Sequence, residues 1–190
     1  MRLIHSLVLT ALVGFAAAPQ AQAFIDPVTR LPIEMSDDVR FQAAAIPREE
    51  VEYKGRYAPG TIVVDTNEKR LYFVMPNGRA MKYGVGVGRP GFAWGGTKTV
   101  TRKQEWPTWT PPPQMLKRRP DLPRFMAGGE GNPMGARALY LGTSLYRIHG
   151  SNEPETIGQA VSSGCIRMIN ADVIDLYERV KVGTRVVVLR

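Results

Sequence analysis

The sequence predicts a mainly β protein with one or two short helices near the C-terminus. Short runs rich in Val, Ile and aromatic residues recur from residue 61 onwards, and glycine and other turn-forming residues separate them. Such runs, bounded by turn residues, are typical of strands. Apolar residues at helical spacing, which are typical of an amphipathic helix, occur in one late segment.

The first strands form a predicted hairpin. Residues 61–66 and 70–75 are β-rich, and a turn of Asn67-Glu68-Lys69 separates them. Residues 80–88 predict a third strand, whose glycine-rich end permits close backbone approach. This end does not have the pattern of a phosphate-binding loop, because neither a Gly-Lys-Ser/Thr sequence nor a helical pattern follows it.

Residues 89–136 are predicted to form a long irregular insert. Three consecutive prolines in WPTWTPPPQM disfavour both a helix and a central strand. A segment of this length without regular structure is usually functional or disordered, and its aromatic residues argue against disorder. Its tryptophans are expected either to line a substrate channel or to pack in the core; they are Trp94, Trp106 and Trp109.

Two strands, a helix and a closing strand complete the predicted fold. Residues 136–142 and 145–150 alternate as strands around a Gly-Thr-Ser turn. The segment NADVIDLYERVK has apolar residues at helical spacing, with Asn170 as the predicted N-cap and Gly183 beyond the helix end. The final TRVVVLR predicts the closing strand.

The N-terminus has the order of features found in a secretory signal peptide. A short positive start precedes an apolar run, and small residues follow up to Ala23. The apolar run is shorter than the roughly 20 residues of a membrane-spanning helix. We therefore expect residues 1–23 to be a cleaved signal peptide and the protein to be exported; an uncleaved membrane anchor is the alternative.

The remainder of the chain predicts one domain preceded by an arm. Residues 24–57 lack sustained periodicity and contain scattered prolines, so they are interpreted as an N-terminal arm or linker. A short helical piece is expected near Asp38–Ala45. Residues 58–190 are long enough to bury a core and form the predicted folded domain.

The chain contains one cysteine, Cys165, and beyond the predicted signal peptide one histidine, His149. One cysteine cannot form an internal disulfide, and one Cys with one His cannot supply the four ligands of a structural zinc site. No metal or other cofactor is predicted. The pattern leaves Cys165 as an intermolecular cross-linker, a buried inert thiol or a reactive nucleophile.

The third alternative has a chemical rationale. A thiolate attacks carbonyls, and a nearby histidine can take the thiol proton. His149 ends one predicted strand and Cys165 follows the next connection, so two strand ends can bring them together. The sequence offers no obvious Asp or Asn to orient the imidazole, so a backbone carbonyl of Gly150 or Ser151 is expected to do so.

The residues around Cys165 suit a substrate site. Gly164 keeps the backbone N–H groups clear for an oxyanion hole, and the hydroxyls of Ser162 and Ser163 add donors. Arg167 shares a face with Cys165 if the segment is extended, where it could bind a substrate carboxylate. Each of these residues also has an ordinary structural interpretation, and Arg167 could equally be a surface ion-pair partner.

The segment IHGSNEPETIGQAVSSGCIRM resembles the active-site signature of the L,D-transpeptidases, the YkuD-type catalytic domain. That signature runs from His-Gly to Ser-x-Gly-Cys, an apolar residue and Arg or Asn, here His149-Gly150 and residues 162–167. The similarity extends over about residues 58–190 and includes PGTIVVDTNEKRLYFV, GVGVGRPGFAWGGT, WPTWTPPPQM and GTRVVVL. Many members have histidine at the position of Ser163 and others have serine, so the role of that histidine is not carried over; the oxyanion contact is expected from the Ser163 hydroxyl or from the backbone.

The resemblance implies a β-sandwich or barrel-like catalytic fold and a peptidoglycan substrate. Cys165 is the implied nucleophile, His149 the general base, and Gly164 and Ser163 the oxyanion hole. The implied substrate-binding residues are Arg167, Ser162, Gly150, Ser151 and Trp109. No metal or cofactor is implied.

The implied reaction releases D-Ala from a stem tetrapeptide through a thioester on the cysteine. The acceptor is then another stem, giving a 3→3 cross-link, a lysine of an outer-membrane lipoprotein or other protein, or water, as in an L,D-carboxypeptidase. Family members are also acylated by carbapenems. The implied location is the periplasm, in association with the cell wall.

Two other classes remain open at the level of sequence. In a papain-like wall endopeptidase the cysteine precedes the histidine, whereas here His149 comes first. A non-catalytic wall-binding domain would have no need of both reactive side chains. The full chain has a formal charge of +8, and the +7 that remains when Arg2 is removed with the predicted signal peptide suits an anionic wall polymer. No nucleic-acid partner is expected, because an exported chain rarely meets one and no binding motif is present.

Overall fold

The computed structural model describes residues 46–190. The predicted signal peptide, the helical piece near Asp38–Ala45 and the first part of the predicted arm lie outside these residues. No helix in residues 46–190 is long and apolar enough to cross a membrane.

The described part of the chain is mainly β, which confirms the predicted fold class. It contains eleven strands and two short α-helices, with a single 3₁₀ turn at Pro154–Thr156. The helices are α1 (Pro113–Arg118) and α2 (Asn170–Arg179). The strands are β1 (Glu49–Glu52), β2 (Ile62–Asp65), β3 (Arg70–Met75), β4 (Arg79–Gly84), β5 (Val87–Gly88), β6 (Gly96–Glu105), β7 (Arg137–Leu141), β8 (Arg147–His149), β9 (Ala160–Ser162), β10 (Ile166–Arg167) and β11 (Arg185–Leu189).

Nine of these strands form one sheet in the order β1-β4-β3-β2-β11-β6-β7-β8-β10. The predicted hairpin is present as the antiparallel pair β2–β3. The last strand, β11, lies in the middle of the sheet, parallel to β2 and antiparallel to β6. Its VVV run is buried on both faces, as expected for a strand inside a covered sheet. β11 therefore joins the N-terminal hairpin to the strands β6 to β10.

The prediction that residues 89–136 form an irregular insert is partly wrong. Residues 96–105 form β6, the longest strand in residues 46–190, and it pairs with both β11 and β7. Only Val100 is buried along this strand. The sequence therefore lacks the alternation of apolar and polar residues from which a strand would be predicted. The third of the consecutive prolines, Pro113, opens α1, where the missing N–H of proline costs nothing.

Two further details differ from the sequence prediction. Asn170 is the first residue of α2 rather than its N-cap, which is Ile169; its side chain instead accepts a hydrogen bond from the Ala136 N–H at 2.9 Å. Residues 49–52, which belong to the predicted arm, form β1 and pair with β4 at the sheet edge.

The core lies between the sheet and α2. Val173 and Leu176 of α2 pack with Leu139, Ile148 and Ile166, and all of these side chains are at most 1% exposed. Because side chains alternate across a strand, the residues that flank Ile148 and Ile166 point to the opposite face of the sheet. The candidate site therefore lies on the face of the sheet opposite this core.

Candidate active site

The two predicted reactive residues are carried by neighbouring parallel strands at the end of the sheet. In the pairing of β8 with β10, Ile166 is opposite Ile148 and Arg167 is opposite His149. Cys165 directly precedes β10, so the same register continues to Arg147. With both isoleucines in the core, the side chains of Cys165, Arg167, Arg147 and His149 belong to the other face. Along the strands, Cys165 and His149 are offset by two residues, or about 7 Å.

His149 is almost completely buried and its Nδ1 lies 2.5 Å from the Gly150 carbonyl oxygen. Because a carbonyl only accepts, this contact places the proton of the neutral ring on Nδ1. A backbone carbonyl therefore orients this imidazole, as expected from the sequence, and of the two carbonyls considered it is that of Gly150.

The surroundings keep His149 neutral. Burial lowers its pKa to about 4, and the nearby charges of Arg167 and Arg147 add to this effect. Hydrogen bonds to the backbone of Gly150 and Met134 act in the opposite direction. At neutral pH the ring is therefore deprotonated and can accept a proton, and the low pKa means that the protonated ring gives this proton up readily.

The Cys165 thiol is half-buried and also neutral. Burial raises its pKa, while hydrogen bonding from Arg147 and the charges of Arg147 and Arg167 lower it. The thiol donates to the Leu145 carbonyl oxygen, with Sγ and O separated by 3.7 Å. Its hydrogen-bond acceptor is thus a backbone carbonyl and not the His149 imidazole.

The turn before Cys165 is held by Ser162. The Ser162 hydroxyl donates to the Cys165 carbonyl at 2.6 Å and accepts from the Gly164 N–H at 3.0 Å. Ser162 is only 3% exposed, so its hydroxyl is used within the turn. The Gly164 N–H, predicted to contribute to the oxyanion hole, is therefore bonded to Ser162.

Two aromatic residues pack against this turn. The Trp94 Nε1–H donates to the Gly164 carbonyl at 2.7 Å, and the Trp94 and Tyr146 rings stack with centroids 4.5 Å apart. Gly164 has a φ of +107°, and a Cβ there would lie 2.5 Å from the Tyr146 ring. Glycine is thus required both by backbone conformation and by space. The sequence singled out Trp94 but missed Tyr146, which lies in a segment that simply alternates as a strand.

Ser163 and Arg167 have partners of their own. The Ser163 hydroxyl accepts from Arg89 Nη1 at 3.3 Å. Arg167 forms an ion pair with Glu153 at 2.6 Å and contacts the Thr156 hydroxyl at 3.4 Å. The predicted carboxylate-binding arginine is therefore occupied by a carboxylate of the chain itself.

Of the remaining predicted substrate-binding residues, two directly follow His149 and one lies in the segment after β6. Gly150 and Ser151 directly follow His149; both are buried, and the Ser151 hydroxyl accepts from the Glu153 N–H at 3.0 Å. The backbone of Trp109 pairs with Met126 within the segment after β6. Of the two tryptophans Trp94 and Trp109, Trp94 is the one that donates a hydrogen bond to the turn before Cys165.

Sequence comparison decides which family carries this arrangement. The model of the YkuD family, the L,D-transpeptidase catalytic domain, matches residues 59–188. The chain belongs to the L,D-transpeptidase family. Its members are transferases. The matched residues include strands β2 to β10 completely and β11 except for its last residue; β1 lies before the match.

A named relative carries the family name, and solved structures share the fold. The Probable L,D-transpeptidase ErfK/SrfK of Escherichia coli (strain K12) is 44% identical over 67% of this chain and 43% of its own length. A structure from Brucella melitensis, described as a probable carnitine operon oxidoreductase, is 42% identical with a TM-score of 0.52, over 80% of this chain and 99% of that one. An L,D-transpeptidase from Mycobacterium smegmatis has the same fold, with a TM-score of 0.54 at 18% identity over 68% of this chain and 58% of that one. The chain spans less than half the length of ErfK/SrfK.

Proposed function

We propose that this protein is a periplasmic L,D-transpeptidase that acts on peptidoglycan stem tetrapeptides through a thioester on Cys165. The observation that carries the proposal is the pairing of β8 with β10, which gives a neutral imidazole and the single thiol the same face of two adjacent strands. Family membership supports the reaction class, and the predicted signal peptide supports the location at the cell wall.

In the acylation step His149 Nε2 takes the thiol proton as Sγ attacks the carbonyl of the L-centre of the stem diamino acid. The C–S bond forms and the carbonyl oxygen becomes an oxyanion. With the Gly164 N–H bonded to Ser162, the donors proposed for this oxyanion are the N–H of Cys165 and the Ser163 hydroxyl. The imidazolium then protonates the amine of D-Ala as the C–N bond breaks.

The thioester is resolved by an amine or by water. Attack by the side-chain amine of a second stem gives a 3→3 cross-link, and attack by a protein lysine attaches that protein to the wall. Hydrolysis instead gives L,D-carboxypeptidase activity. In each case His149 takes a proton from the attacking group and returns it to the departing Cys165 sulfur.

A mass measurement on the intact protein tests the nucleophile. Incubation with a carbapenem is expected to add one drug molecule to the wild-type chain and none to Cys165→Ala. His149→Ala is expected to slow this addition by about 100-fold or more, as removal of a general base does, and Ser163→Ala far less. An adduct on Cys165→Ala would exclude Cys165 as the nucleophile, and equal slowing by the other two variants would exclude His149 as the base.

Incubation with purified tetrapeptide muropeptides identifies the acceptor. A cross-linked dimer, a trimmed tripeptide and a conjugate with an added lysine-containing protein differ in mass. Cleavage at another bond would favour a cysteine endopeptidase. Absence of both drug adduct and muropeptide product would favour a non-catalytic wall-binding domain.

A further inference from the structure

A row of side chains crosses the face of the sheet that carries Cys165. Tyr140 of β7 is paired with Arg102 of β6 and with Arg147 of β8, and Arg147 is the register neighbour of Cys165. The Tyr140 ring lies between the two guanidinium groups. Its centroid is 3.6 Å from Cζ of Arg102 and 5.2 Å from Cζ of Arg147. The row therefore runs from an exposed arginine, across a tyrosine, to an arginine beside the thiol.

Arg147 and the thiol share a contact. Arg147 Nη1 donates to the Leu145 carbonyl at 3.0 Å, and this is the oxygen to which Cys165 Sγ donates at 3.7 Å. The neighbouring strands are separated by about 4.8 Å. The guanidinium is thus fixed next to the sulfur by the tyrosine ring and by one carbonyl, and it remains half-buried.

The two arginines that influence the thiol differ in their partners. Arg167 is paired with the Glu153 carboxylate at 2.6 Å. For Arg147, no carboxylate lies within ion-pair distance in residues 46–190, where its side chain contacts the Leu145 carbonyl, the Tyr140 ring and the Cys165 thiol itself. A guanidinium keeps its charge and has several N–H donors, so most of the hydrogen-bonding capacity of Arg147 is available to an anion at the thiol.

We propose that Arg147 binds the free carboxylate of the residue that leaves during acylation, and so selects donors with an unblocked C-terminus. This inference rests on the proposed function. In such a donor the terminal carboxylate is three bonds from the carbonyl carbon that Sγ attacks, so a guanidinium beside the sulfur is at the right distance to hold it. A charge-assisted bidentate contact there fixes the leaving residue and its scissile bond.

The first test uses two small alkylating reagents and does not depend on transpeptidase activity. Iodoacetate and iodoacetamide both form an S–C bond with Cys165 and release iodide, but only iodoacetate carries a carboxylate. The ratio of their rates reports attraction of an anion to the thiol, because a change in thiolate fraction affects both reagents equally. Arg147→Gln is expected to lower this ratio about five- to tenfold, and Arg147→Lys much less.

Two other arginines provide matched comparisons. Arg102→Gln removes the same charge from the same tyrosine ring but two strands further from the sulfur, so it is expected to leave the ratio near the wild-type value. Arg89→Gln removes the arginine that contacts Ser163 and is expected to have a smaller effect than Arg147→Gln. An unchanged ratio in Arg147→Gln, or an equal fall in Arg102→Gln or Arg89→Gln, would overturn the proposal. The melting temperature shows whether each variant is folded, and the iodoacetamide rate reports its thiolate fraction.

The second test compares a tetrapeptide stem that ends in a free D-Ala with one that ends in D-alaninamide. Wild type is expected to release D-Ala from the first stem at least tenfold faster than it releases D-alaninamide from the second. The difference should lie mainly in a lower KM for the stem with the free carboxylate. Arg147→Gln is expected to reduce this preference to near unity. If wild type turns over both stems equally, the assignment of Arg147 is wrong and the proposed function survives. If neither stem is turned over while the alkylation ratio still depends on Arg147, the proposed function fails and the anion site at Cys165 stands.

Discussion

At the residue level, the unusual feature is a histidine that remains uncharged well below neutral pH. His149 is 5% exposed, and the positive charges of Arg167 and Arg147 act on it. A charged imidazole in this position would be poorly solvated and repelled. The same environment that keeps the ring deprotonated therefore couples its protonation to the stability of the fold.

The pH dependence of stability is expected to reveal this coupling. The folded-state pKa of His149 is about 4, against 6.5 for an unperturbed histidine, so between these values the unfolded chain binds the extra proton. His149 therefore stabilises the fold fully above pH 6.5, and this contribution is lost as the pH falls towards 4. The expected loss is roughly 3 kcal/mol in the free energy of unfolding.

Urea unfolding at several pH values between 7 and 4 measures this effect. His149→Asn is the matched variant, because its amide can still donate to the Gly150 carbonyl but does not titrate. The wild-type curve should fall more steeply than that of the variant. The carboxyl groups of Glu155 and Asp172, whose pKa values burial raises, contribute equally to both proteins. Parallel curves would mean that His149 is not buried as a neutral ring.

At the level of elements, α2 is fixed to the sheet at both ends. Asn170 at its start accepts from the Ala136 backbone. At its end, Lys103 of β6 donates to the carbonyl oxygens of Tyr177 and Val180, each at 2.6 Å. The final carbonyls of a helix have no partners within it, and a cation there also interacts favourably with the helix dipole. One lysine thus completes the C-terminus of the helix that covers the core.

Lys103→Met should lower the free energy of unfolding by about 2 kcal/mol, because it leaves two helix carbonyls without this donor. Lys181→Met removes a lysine from an exposed position just beyond the helix and should change stability by less than about 0.5 kcal/mol. Chemical denaturation measures both. Similar small changes in the two variants would show that Lys103 does not cap α2.

At the level of the whole molecule, the core and the candidate site are opposite faces of the same strands. Leu139 of β7 lies on the core face with no exposed surface, while its neighbours Ala138 and Tyr140 are the partners of His149 and Arg147. Packing under the sheet therefore fixes the position of the strands on which His149 and Arg147 lie.

Leu139→Ala should destabilise the whole domain by about 2 to 5 kcal/mol, since it opens a cavity in this core. Leu145→Ala is the matched control, because the Leu145 side chain is 68% exposed and its truncation should cost far less. Thermal unfolding followed by circular dichroism compares the two. If Leu139→Ala were as stable as Leu145→Ala, β7 would not be an integral part of the core.

The sequence by itself determined the β class, the hairpin, the closing strand, the late helix and the single Cys/His pair, because these depend on local patterns and on residue counts. It did not reveal β6, whose side chains are mostly exposed and whose place is set by pairing with β7 and β11.

Nor could the sequence show which arginine lies beside the Cys165 thiol without a carboxylate partner. Arg167 stands in the recognised motif, but tertiary structure gives it a carboxylate partner from a distant turn. The register of β8 and β10 brings Arg147 to the thiol instead. Charges act through space, so which of them reaches a reacting atom is decided by strand pairing and not by position along the chain.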